Sequence, residues 1–391
     1  VAGRYATVRT NQSEVRLLLA KNPAGWAELI SLLEQDDSPL VVGINARDAD
    51  GHDPSWLWDV PFERLSSRFV VATGERSLDL ALRLRHAELA HSAVADQMDA
   101  LHAAGSGVVD YVGNYTAFQS LRRELERRHP RQRAPSPPVH EPPGVALRQD
   151  GASVLSVVVV HPDLLGTYGD AGNGRVLQNR ARWRGYAAEL VFARSDEPLP
   201  ESGDLYLLGG GEDGPQEHSA EVLCSGALRR AVDRGATVLA VCAGFQILGE
   251  SFPGMKGTAR GVGLIDAVTR HTSDRRAVGE VVTDATADPT WKLDPGRLSG
   301  FENHQARTQL GPTARPLGVV RAGVGNGFGH SDGAVQGRVF ATYLHGPVLA
   351  RNPALADLLL SLATGDDLEN LDDEEEELLR RERLKSARIS P

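Results

Sequence analysis

The chain has 391 residues, of which 41% are hydrophobic and 24% charged, and its formal net charge is −10. This length is too great for one compact core, so two domains are expected, and the composition is that of an ordinary globular protein. No basic stripe with interleaved aromatic residues occurs, which argues against nucleic acid as a partner.

No apolar run reaches the roughly 18–20 residues that cross a bilayer, and no signal peptide is visible. The two cysteines, Cys224 and Cys242, are too few for a disulfide framework or a cysteine-based metal site. The reducing cytoplasm is therefore the expected location.

The segment before residue 129 alternates predicted strands and helices. "RLLLAKNPAGWAELISLLEQ" is interpreted as a loop followed by a helix, and "PLVVGINA" and "RFVVATG" as buried strands. "SLDLALRLRHAELA" and "YTAFQSLRRELERR" have apolar residues at helical spacing. This alternation predicts a small α/β domain with a parallel sheet over residues 1–128.

Residues 129–152 contain six prolines and no apolar periodicity, which predicts a semi-rigid linker. After it, "VLSVVVVHP", "DLYLLGGG" and "TVLAVC" predict buried strands, and "NGRVLQNRARWRGY" and "SGALRRAVDRG" predict helices, in the order of a doubly wound sheet. We expect a second α/β domain over residues 153–364, with antiparallel strands joining its sheet in the glycine-rich part, 258–345. The charged residues 365–391 predict a solvated helix that frays into a disordered tail.

Cys242 lies where a nucleophile is expected. It ends the predicted strand in "VLAVCAGFQIL", and the small residues Ala243 and Gly244 follow, as in a strained turn between a strand and a helix. Such a turn holds a side chain at the carboxyl edge of a sheet, where α/β proteins bind ligands, and directs helix amides at the sulfur. Ala240 replaces the first glycine of this pattern, so a buried structural cysteine stays an alternative.

Three further segments favour the catalytic interpretation. "LLGGGEDGPQEH" follows a strand with three glycines, and the amides of Gly210 and Gly211 can donate to an oxyanion together with that of Ala243. His345, in "VFATYLHGPVLARNP", follows a β-rich run and is a candidate general base for the cysteine. "SGFENHQART" places polar residues between apolar strands, which indicates a binding loop or a hydrogen-bonded turn.

The segments "HPDLLGTYGDAGN", "LLGGGEDGPQE", "VCAGFQILGESF", "GVGLIDAVT", "GFENHQART" and "TYLHGPVLARNP" together resemble the GatD family over about residues 154–362. GatD proteins are the glutaminase subunits of lipid II isoglutaminyl synthase and belong to the cobyric-acid-synthase-like class I glutamine amidotransferases, which implies a flavodoxin-like α/β domain. "RLLLAKNPAGWAELI", "INARDADGHDPSWLWDVPFE" and "ATGERSLDLALRLRHA" resemble the C-terminal domain of the other subunit, MurT, a Mur ligase relative, over about residues 14–128.

The resemblance implies that Cys242 attacks the side-chain amide of glutamine, and that His345 takes the thiol proton and returns it to the leaving ammonia. The ammonia would amidate D-glutamate to D-isoglutamine in the peptidoglycan stem of lipid II or a related precursor. The resemblance also implies that Arg276 touches the substrate and that Asp170 lies near the site. A solvated arginine and a helix-capping aspartate are the alternatives.

Class I amidotransferases usually have a glutamate two residues after the histidine, and here that position is Pro347. The resemblance implies that the missing carboxylate comes from the MurT-like region, where Asp50, Asp53 and Asp59 are candidates. We expect Asp53 to orient His345, because it lies in the middle of a loop from which a carboxylate can project. Turn and capping roles are the alternatives for these aspartates.

No Gly-x-x-x-x-Gly-Lys-[Ser/Thr] phosphate loop and no cysteine-rich zinc ribbon occur in the sequence. We therefore expect no metal and no cofactor in this chain, and ATP and Mg²⁺ in a Mur-ligase-like catalytic part that would be its partner. Two other functions stay open: an amidotransferase of another pathway, such as cobyrinate amidation, and a non-catalytic module that binds a Mur ligase. Whether the chain is a natural fusion or a fragment is also open.

Overall fold

The computed structural model describes residues 5–10, 13–128 and 154–389, and the chain divides into two compact units, 1–150 and 151–391. Each unit contains a parallel sheet with helices packed against it. The two-domain α/β fold expected from the sequence is therefore confirmed. Within the described part of the chain, no helix is long and apolar enough to cross a membrane.

The N-terminal unit is a six-stranded sheet. Its strand order is β1-β2-β6-β3-β4-β5, with β1 antiparallel to β2 and the other pairs parallel. The strands are β1 (Tyr5–Arg9), β2 (Ser13–Leu19), β3 (Leu40–Gly43), β4 (Val70–Thr73), β5 (His91–Ala93) and β6 (Gly107–Gly113). The helices are α1 (Pro23–Leu33), α2 (Ser77–Arg85), α3 (Gln97–Ala104) and α4 (Tyr115–Arg128), with 3-10 turns at Ser55–Asp59 and Phe62–Leu65.

Apolar side chains cover both faces of this sheet. Leu40 and Val42 of β3 belong to the cluster that contains Trp26 of α1, whereas Val41 belongs to the cluster that contains Phe118 of α4. A parallel strand buried on both faces needs apolar residues at every position, which explains the unbroken apolar run of "PLVVGINA".

The predicted loop at the start of "RLLLAKNPAGW" is wrong, because these residues complete β2. Val15 and Leu17 lie in one apolar cluster and Leu18 in the other. The strand pairs with β1 on one side and with β6 on the other. Its hydrogen bonds and its burial on both faces therefore depend on residues about 90 positions along the chain, which a local pattern does not contain.

The predicted linker, 129–152, lies outside the described residues. The C-terminal unit has fourteen strands in three sheets and seven helices among residues 154–389. Its strands are β7 (Leu155–Val160), β8 (Ala188–Ala193), β9 (Leu205–Leu208), β10 (Thr237–Val241), β11 (Ser251–Gly254), β12 (Gly257–Arg260), β13 (Ala267–His271), β14 (Ala277–Ala285), β15 (Arg297–His304), β16 (Ala306–Leu310), β17 (Gly318–Ala322), β18 (Ser331–Asp332), β19 (Ala334–Gln336) and β20 (Val339–Thr342). The helices are α5 (Gly172–Arg182), α6 (Asp213–Leu223), α7 (Ala227–Asp233), α8 (Ala243–Leu248), α9 (Val348–Arg351), α10 (Pro353–Thr364) and α11 (Glu374–Ser386).

The main sheet has the strand order β19-β20-β10-β9-β7-β8. In chain order its five parallel strands read 2-1-3-4-5 from β8 to β20, which is the flavodoxin-like order. Among the described strands, only β19 joins this sheet as an antiparallel member. The other short strands form two separate four-stranded sheets, β12-β11-β13-β16 and β15-β14-β17-β18, rather than extending the main sheet.

The prediction that the charged C-terminal segment is a solvated, frayed tail is wrong. Its helix α11 packs against the rest of the unit, and Leu379 and Leu384 are buried. The buried Arg180 guanidinium bridges Asp357 at 2.8 Å and Asp373, just before α11, at 2.6 Å. Buried charges need such partners, so part of the charge run holds the helix in place.

Candidate active site

Cys242 lies in a strained turn between β10 and α8. Its φ of 52° and ψ of −104° are values that residues with a side chain rarely adopt. Cys242 N donates to Thr342 O at 2.9 Å, and Gly244 N donates to Gly209 O at 3.1 Å. A Cβ on Gly244 would lie 2.7 Å from Cβ of Leu208, so the helix starts this close to β9 only with glycine there. The turn presents the sulfur at the carboxyl edge of the parallel sheet.

His345 follows β20 and is fully buried. Its Nδ1 lies 3.0 Å from Oδ2 of Asp170, and its ring centroid lies 4.6 Å from that of Tyr168. Burial disfavours the imidazolium, but the Asp170 carboxylate and the nearby Cys242 sulfur outweigh burial and hold the pKa of His345 well above its usual value. Nε2 has no hydrogen-bond partner of ordinary geometry among the described residues, so it remains available to the thiol.

Asp170 is the carboxylate that contacts His345 within the C-terminal unit. Its Oδ2 accepts hydrogen bonds from His345 Nδ1 and from Gly210 N, the latter at 2.8 Å, and its side chain is fully buried. A buried carboxylate in this position fixes the tautomer of the histidine and stabilises its cation. The expectation that Asp170 lies near the site agrees with these contacts, but its side chain does not line the pocket, and a contact with the substrate stays a prediction.

A pocket of about 150 Å³ opens beside the cysteine. Arg276 is exposed on one wall, where its Nε donates to Asn303 Oδ1 at 2.6 Å, and Asn303 Nδ2 donates to Tyr168 OH at 3.2 Å. The acidic residues Glu212 and Asp213 contribute to the same lining. The lining as a whole consists of Tyr168, Gly211, Glu212, Asp213, Gln216, Cys242, Ala243, Gln246, Pro253, His271, Arg276, Asn303, His304, Gln305 and Ala306.

Residues 156–353, more than half of the chain, match the CobB/CobQ-like glutamine amidotransferase domain. The chain belongs to this family. It is 31% identical over 215 residues to the GatD subunit of lipid II isoglutaminyl synthase (glutamine-hydrolyzing) from Streptococcus pneumoniae, a match that covers 54% of this chain and 80% of that protein. It is also 34% identical over 171 residues to cobyric acid synthase from Pelotomaculum thermopropionicum, covering 40% of this chain and 32% of that protein.

The N-terminal unit of this amidotransferase has a different set of relatives. Residues 19–118 match the MurT ligase C-terminal domain. The chain is 32% identical over 136 residues to the MurT subunit of lipid II isoglutaminyl synthase from Staphylococcus aureus, and the match covers 32% of this chain and 31% of that protein. The chain therefore spans about a third of its MurT relative. The expected combination of a GatD-like domain with a MurT C-terminal-like region is confirmed.

The glycine loop after β9 has two roles in this CobB/CobQ-like domain. Gly210 N donates to Asp170, so this amide already has an acceptor, and its donation to an oxyanion stays a prediction. A Cβ on Gly210 would lie 2.7 Å from Cε1 of His345, so the missing side chain makes room for the ring. Gly211 and Ala243 do line the pocket. Ala243 is the first residue of α8, so its amide has no acceptor within the helix. The amides of Gly211 and Ala243 are therefore the candidates for an oxyanion hole.

Asp53, expected to orient the catalytic histidine, lies in the N-terminal unit and is engaged locally. Its Oδ1 accepts hydrogen bonds from Ser55 N, at 2.9 Å, and from the Ser55 hydroxyl. Asp50 accepts from the amide and the hydroxyl of Thr116. The premise that the histidine lacks a carboxylate in its own domain is wrong, because Asp170 provides one. The orienting role expected for Asp53 is untested, and Asp170 is the alternative that this geometry favours.

Several pocket residues were not predicted, although they lie in quoted segments. Tyr168 belongs to "TYGDAGN", and Gln246 to "VCAGFQIL". Gln216 Nε2 donates to Gln246 Oε1 at 2.9 Å, and Gln246 Nε2 donates to Tyr343 OH at 3.3 Å. Glutamines in helices are usually read as solvated, and only the packing of α6 against α8 shows that these two are buried beside the pocket.

Proposed function

We propose that the chain is the glutaminase component of a lipid II isoglutaminyl synthase, releasing ammonia from glutamine for the amidation of D-glutamate to D-isoglutamine in the peptidoglycan stem. One observation carries the proposal: the buried His345–Asp170 pair lies beside a strained Cys242 in a chain with regions similar to both GatD and MurT. Those two relatives are named as subunits of the same synthase, and here their counterparts share one chain.

The geometry supports a thiol mechanism. The Cys242 sulfur attacks the carboxamide carbon of glutamine, and His345 holds the thiol proton and passes it to the leaving nitrogen. The amides of Gly211 and Ala243 stabilise the negative charge on the tetrahedral oxygen. After ammonia leaves, His345 accepts a proton from water, which attacks the γ-glutamyl thioester. Glutamate and the free thiol are the products, and Asp170 keeps the ring oriented throughout.

The pocket suits the charged end of free glutamine. An amino acid carries an α-carboxylate and an α-ammonium group, and the pocket offers Arg276 for the first and the carboxylates of Glu212 and Asp213 for the second. Opposite charges on the walls of one small pocket favour such a zwitterion over a neutral amide of the same size. This complementarity supports free glutamine as the nitrogen donor.

The proposal includes a partner. Ammonia must be consumed where D-glutamate is activated, which requires ATP and Mg²⁺ in a Mur-ligase-like catalytic part. Among residues 5–10, 13–128 and 154–389, no cluster of three or more His, Cys, Asp or Glu side chains could hold a metal ion, and the expectation of a cofactor-free chain stays a prediction. A thiol nucleophile requires reducing conditions, which supports the proposed cytoplasmic location and lipid II or a related precursor as acceptor.

The two alternatives predict different products. The similarity to cobyric acid synthase supports a cobyrinate-type amidotransferase. However, the match covers 32% of the length of that protein, and this function does not explain the MurT-like unit. A non-catalytic module that binds a Mur ligase would not need a strained cysteine beside a buried histidine and carboxylate, since such strain persists only where the surrounding structure maintains it.

Two assays test the proposal. The purified chain is first incubated with L-glutamine, and we expect release of ammonia and glutamate in equal amounts. The chain is then combined with a Mur-ligase-like catalytic subunit, ATP, Mg²⁺ and lipid II, and we expect a mass change of lipid II that corresponds to one carboxylate converted to an amide. No ammonia in the first assay would leave only the binding-module function, and amidation of a corrinoid acid instead of lipid II would favour the cobyrinate pathway.

A further inference from the structure

Asp332, at the end of β18, is fully buried outside the pocket. Its Oδ2 accepts a hydrogen bond from Thr342 Oγ1 at 2.6 Å, and its Oδ1 accepts one from Tyr343 N at 3.2 Å. Thr342 Oγ1 in turn accepts a hydrogen bond from Leu344 N at 3.1 Å. One carboxylate therefore holds three consecutive residues at the end of β20.

These three residues connect the nucleophile with the general base. Thr342 O accepts the hydrogen bond from Cys242 N that holds the strained turn, and His345 follows directly after Leu344. On its other side, His345 is fixed to Phe301 by two backbone hydrogen bonds of 2.8 and 3.1 Å. A shift of the strand end would therefore move both reacting groups, and not only one of them.

Asp332 is itself held in place. The next residue, Gly333, has a φ of 64°, and a Cβ there would lie 2.1 Å from Ala341 O. The Asn326 side chain forms hydrogen bonds with both backbone groups of Gly333. Its Nδ2 donates to Gly333 O, and its Oδ1 accepts from Gly333 N, each at 2.8 Å. Because the backbone next to Asp332 is held in this way, the Asp332 carboxylate can hold the residues that it contacts in one position.

We propose that Asp332 is a positioning residue that braces the end of β20, so that Cys242 and His345 keep the separation that proton transfer needs. The proposal rests on the proposed glutaminase function, because that reaction requires both groups. Asp332 touches neither substrate nor the reacting atoms, so its effect is on geometry. Displacements of the order of 1 Å in such sites can reduce turnover by about 10²-fold.

The titration of Asp332 provides a second way to test the brace. Burial raises the pKa of Asp332 to about 7, the Thr342 hydroxyl and the Tyr343 amide act in the opposite direction, and the carboxylate of Glu302, which faces it from β15, raises the pKa further. Tyr343, whose amide donates to Asp332, also has a titratable side chain, and burial raises its pKa. Because the pKa of Asp332 is raised, its contribution to folding stability is lost as pH rises from about 4 to about 7. Hydrogen bonds to an ionised carboxylate are stronger than those to a neutral carboxyl, so the brace strengthens as pH rises through about 7.

The test compares Asp332→Asn with a matched control. In Asp332→Asn we expect kcat to fall by about tenfold or more, with KM unchanged within about twofold. The pH profile of kcat should also lose one titration step with a midpoint of about 7. Asp266→Asn is the control, because Asp266 Oδ2 likewise accepts from the hydroxyl and the amide of one threonine, Thr313, at 2.8 and 3.0 Å, away from the pocket.

A second pair of variants applies if Asp332→Asn does not fold. Thr342→Ser keeps the hydroxyl that Asp332 accepts from, whereas Thr342→Val removes it. We expect the serine variant to retain kcat within about twofold and the valine variant to lose about tenfold or more. The rate at which iodoacetamide alkylates Cys242, read by peptide mass, should fall in Asp332→Asn and in Thr342→Val as well.

The outcomes separate this proposal from the proposed function. If the unaltered chain releases no ammonia from glutamine, the glutaminase function fails, and the alkylation rates alone decide on the brace. If the unaltered chain is active but Asp332→Asn and Thr342→Val have its kcat, its pH profile and its alkylation rate, the brace is refuted. An equal loss in Asp266→Asn would likewise refute it, since the effect would then be general loss of stability.

Discussion

Cys242 has a backbone conformation that costs about 1–3 kcal/mol for a residue with a side chain, and the surrounding structure holds it through the carbonyl of Thr342 and the close packing of Gly244 on Leu208. His345 is held as firmly, between Asp170 and the backbone of Phe301. The chemistry of the site thus depends on a few side chains whose freedom has been removed by their neighbours.

Replacement of the nucleophile should abolish the reaction without unfolding the domain. In Cys242→Ala we expect ammonia release from glutamine to fall by more than about 10⁴-fold, because no other thiol lies in the pocket. Circular dichroism and the thermal midpoint should stay close to those of the unaltered chain. Cys224→Ala is the control: this exposed cysteine lies outside the pocket, and its loss should leave turnover unchanged. Ammonia release by Cys242→Ala would exclude Cys242 as the nucleophile.

Loss of the orienting carboxylate should change both rate and pH dependence. In Asp170→Asn we expect kcat to fall on the order of 10²-fold. The carboxylate holds the pKa of His345 well above its usual value, so its removal lowers that pKa, and the alkaline limb of the kcat/KM profile should move to lower pH. Asp53→Asn, measured beside it, should retain normal turnover. The reverse result would assign the orienting role to Asp53.

The charged wall of the pocket should affect binding more than chemistry. A guanidinium that binds the α-carboxylate in ground state and transition state alike lowers KM without raising kcat. In Arg276→Ala we therefore expect the KM for glutamine to rise by about tenfold or more, with a smaller change in kcat. Arg270→Ala serves as control, because Arg270 is an exposed arginine on β13 that does not line the pocket. An unchanged KM in Arg276→Ala would place the guanidinium outside the glutamine site.

Helix α11 shows how an element gains structure from charge pairs as well as from apolar packing. Its residues Leu379 and Leu384 are buried, while Arg180 of α5 bridges Asp357 of α10 and Asp373 at the start of α11. The guanidinium is almost fully buried, whereas the Asp373 side chain is 31% exposed. The arginine is therefore the buried member of these pairs, and Asp357 also bridges Arg184 at 2.7 Å.

Replacement of Arg180 should loosen this C-terminal segment. Breaking a buried ion pair costs about 3–5 kcal/mol, and the partly exposed partners reduce this, so we expect Arg180→Ala to lower the free energy of unfolding by about 2 kcal/mol. Denaturant unfolding measures the change, and proteolysis should cleave near α11 sooner. Arg182→Ala, at an exposed position of the same helix, should change stability by less than about 0.5 kcal/mol. Equal effects of the two variants would exclude a specific role for the Arg180 bridges.

The whole molecule joins two units with separate cores, one of MurT-like and one of GatD-like sequence. Each unit has a parallel sheet covered by its own helices, so each can be examined alone. In the C-terminal unit, Cys242, His345 and the carboxylate of Asp170 all lie within residues 154–389. Because both units lie on one chain, a partner that binds one unit would meet the other at a raised effective concentration.

The C-terminal unit alone should therefore be active. We expect residues 151–391, expressed alone, to release ammonia from glutamine with kcat within about threefold of the full chain, because Asp170 supplies the carboxylate. Residues 1–130 added in trans should then have little effect. A polypeptide of residues 151–391 that is inactive, and that regains activity on addition of residues 1–130, would instead support the role predicted for Asp53.

The sequence by itself determined the fold class and predicted the reacting groups. Buried parallel strands must be apolar throughout, so runs such as "PLVVGINA" and "VLSVVVVHP" identify them locally. Few side chains can act as nucleophile or base, so residue type and position relative to a predicted strand made Cys242 and His345 candidates for these roles. The short segment around each of these residues was enough to predict its role.

Only the tertiary structure decided which side chains assist them. Asp170 lies 175 positions from His345, and Asp332 contacts the catalytic segment from another sheet. Arg180 reaches Asp373 across 193 positions, which turned a predicted solvated tail into a packed helix. Hydrogen-bond and ion-pair partners depend on which strand ends and helices meet in space, and that depends on the packing of the whole unit. A local sequence pattern does not contain this information.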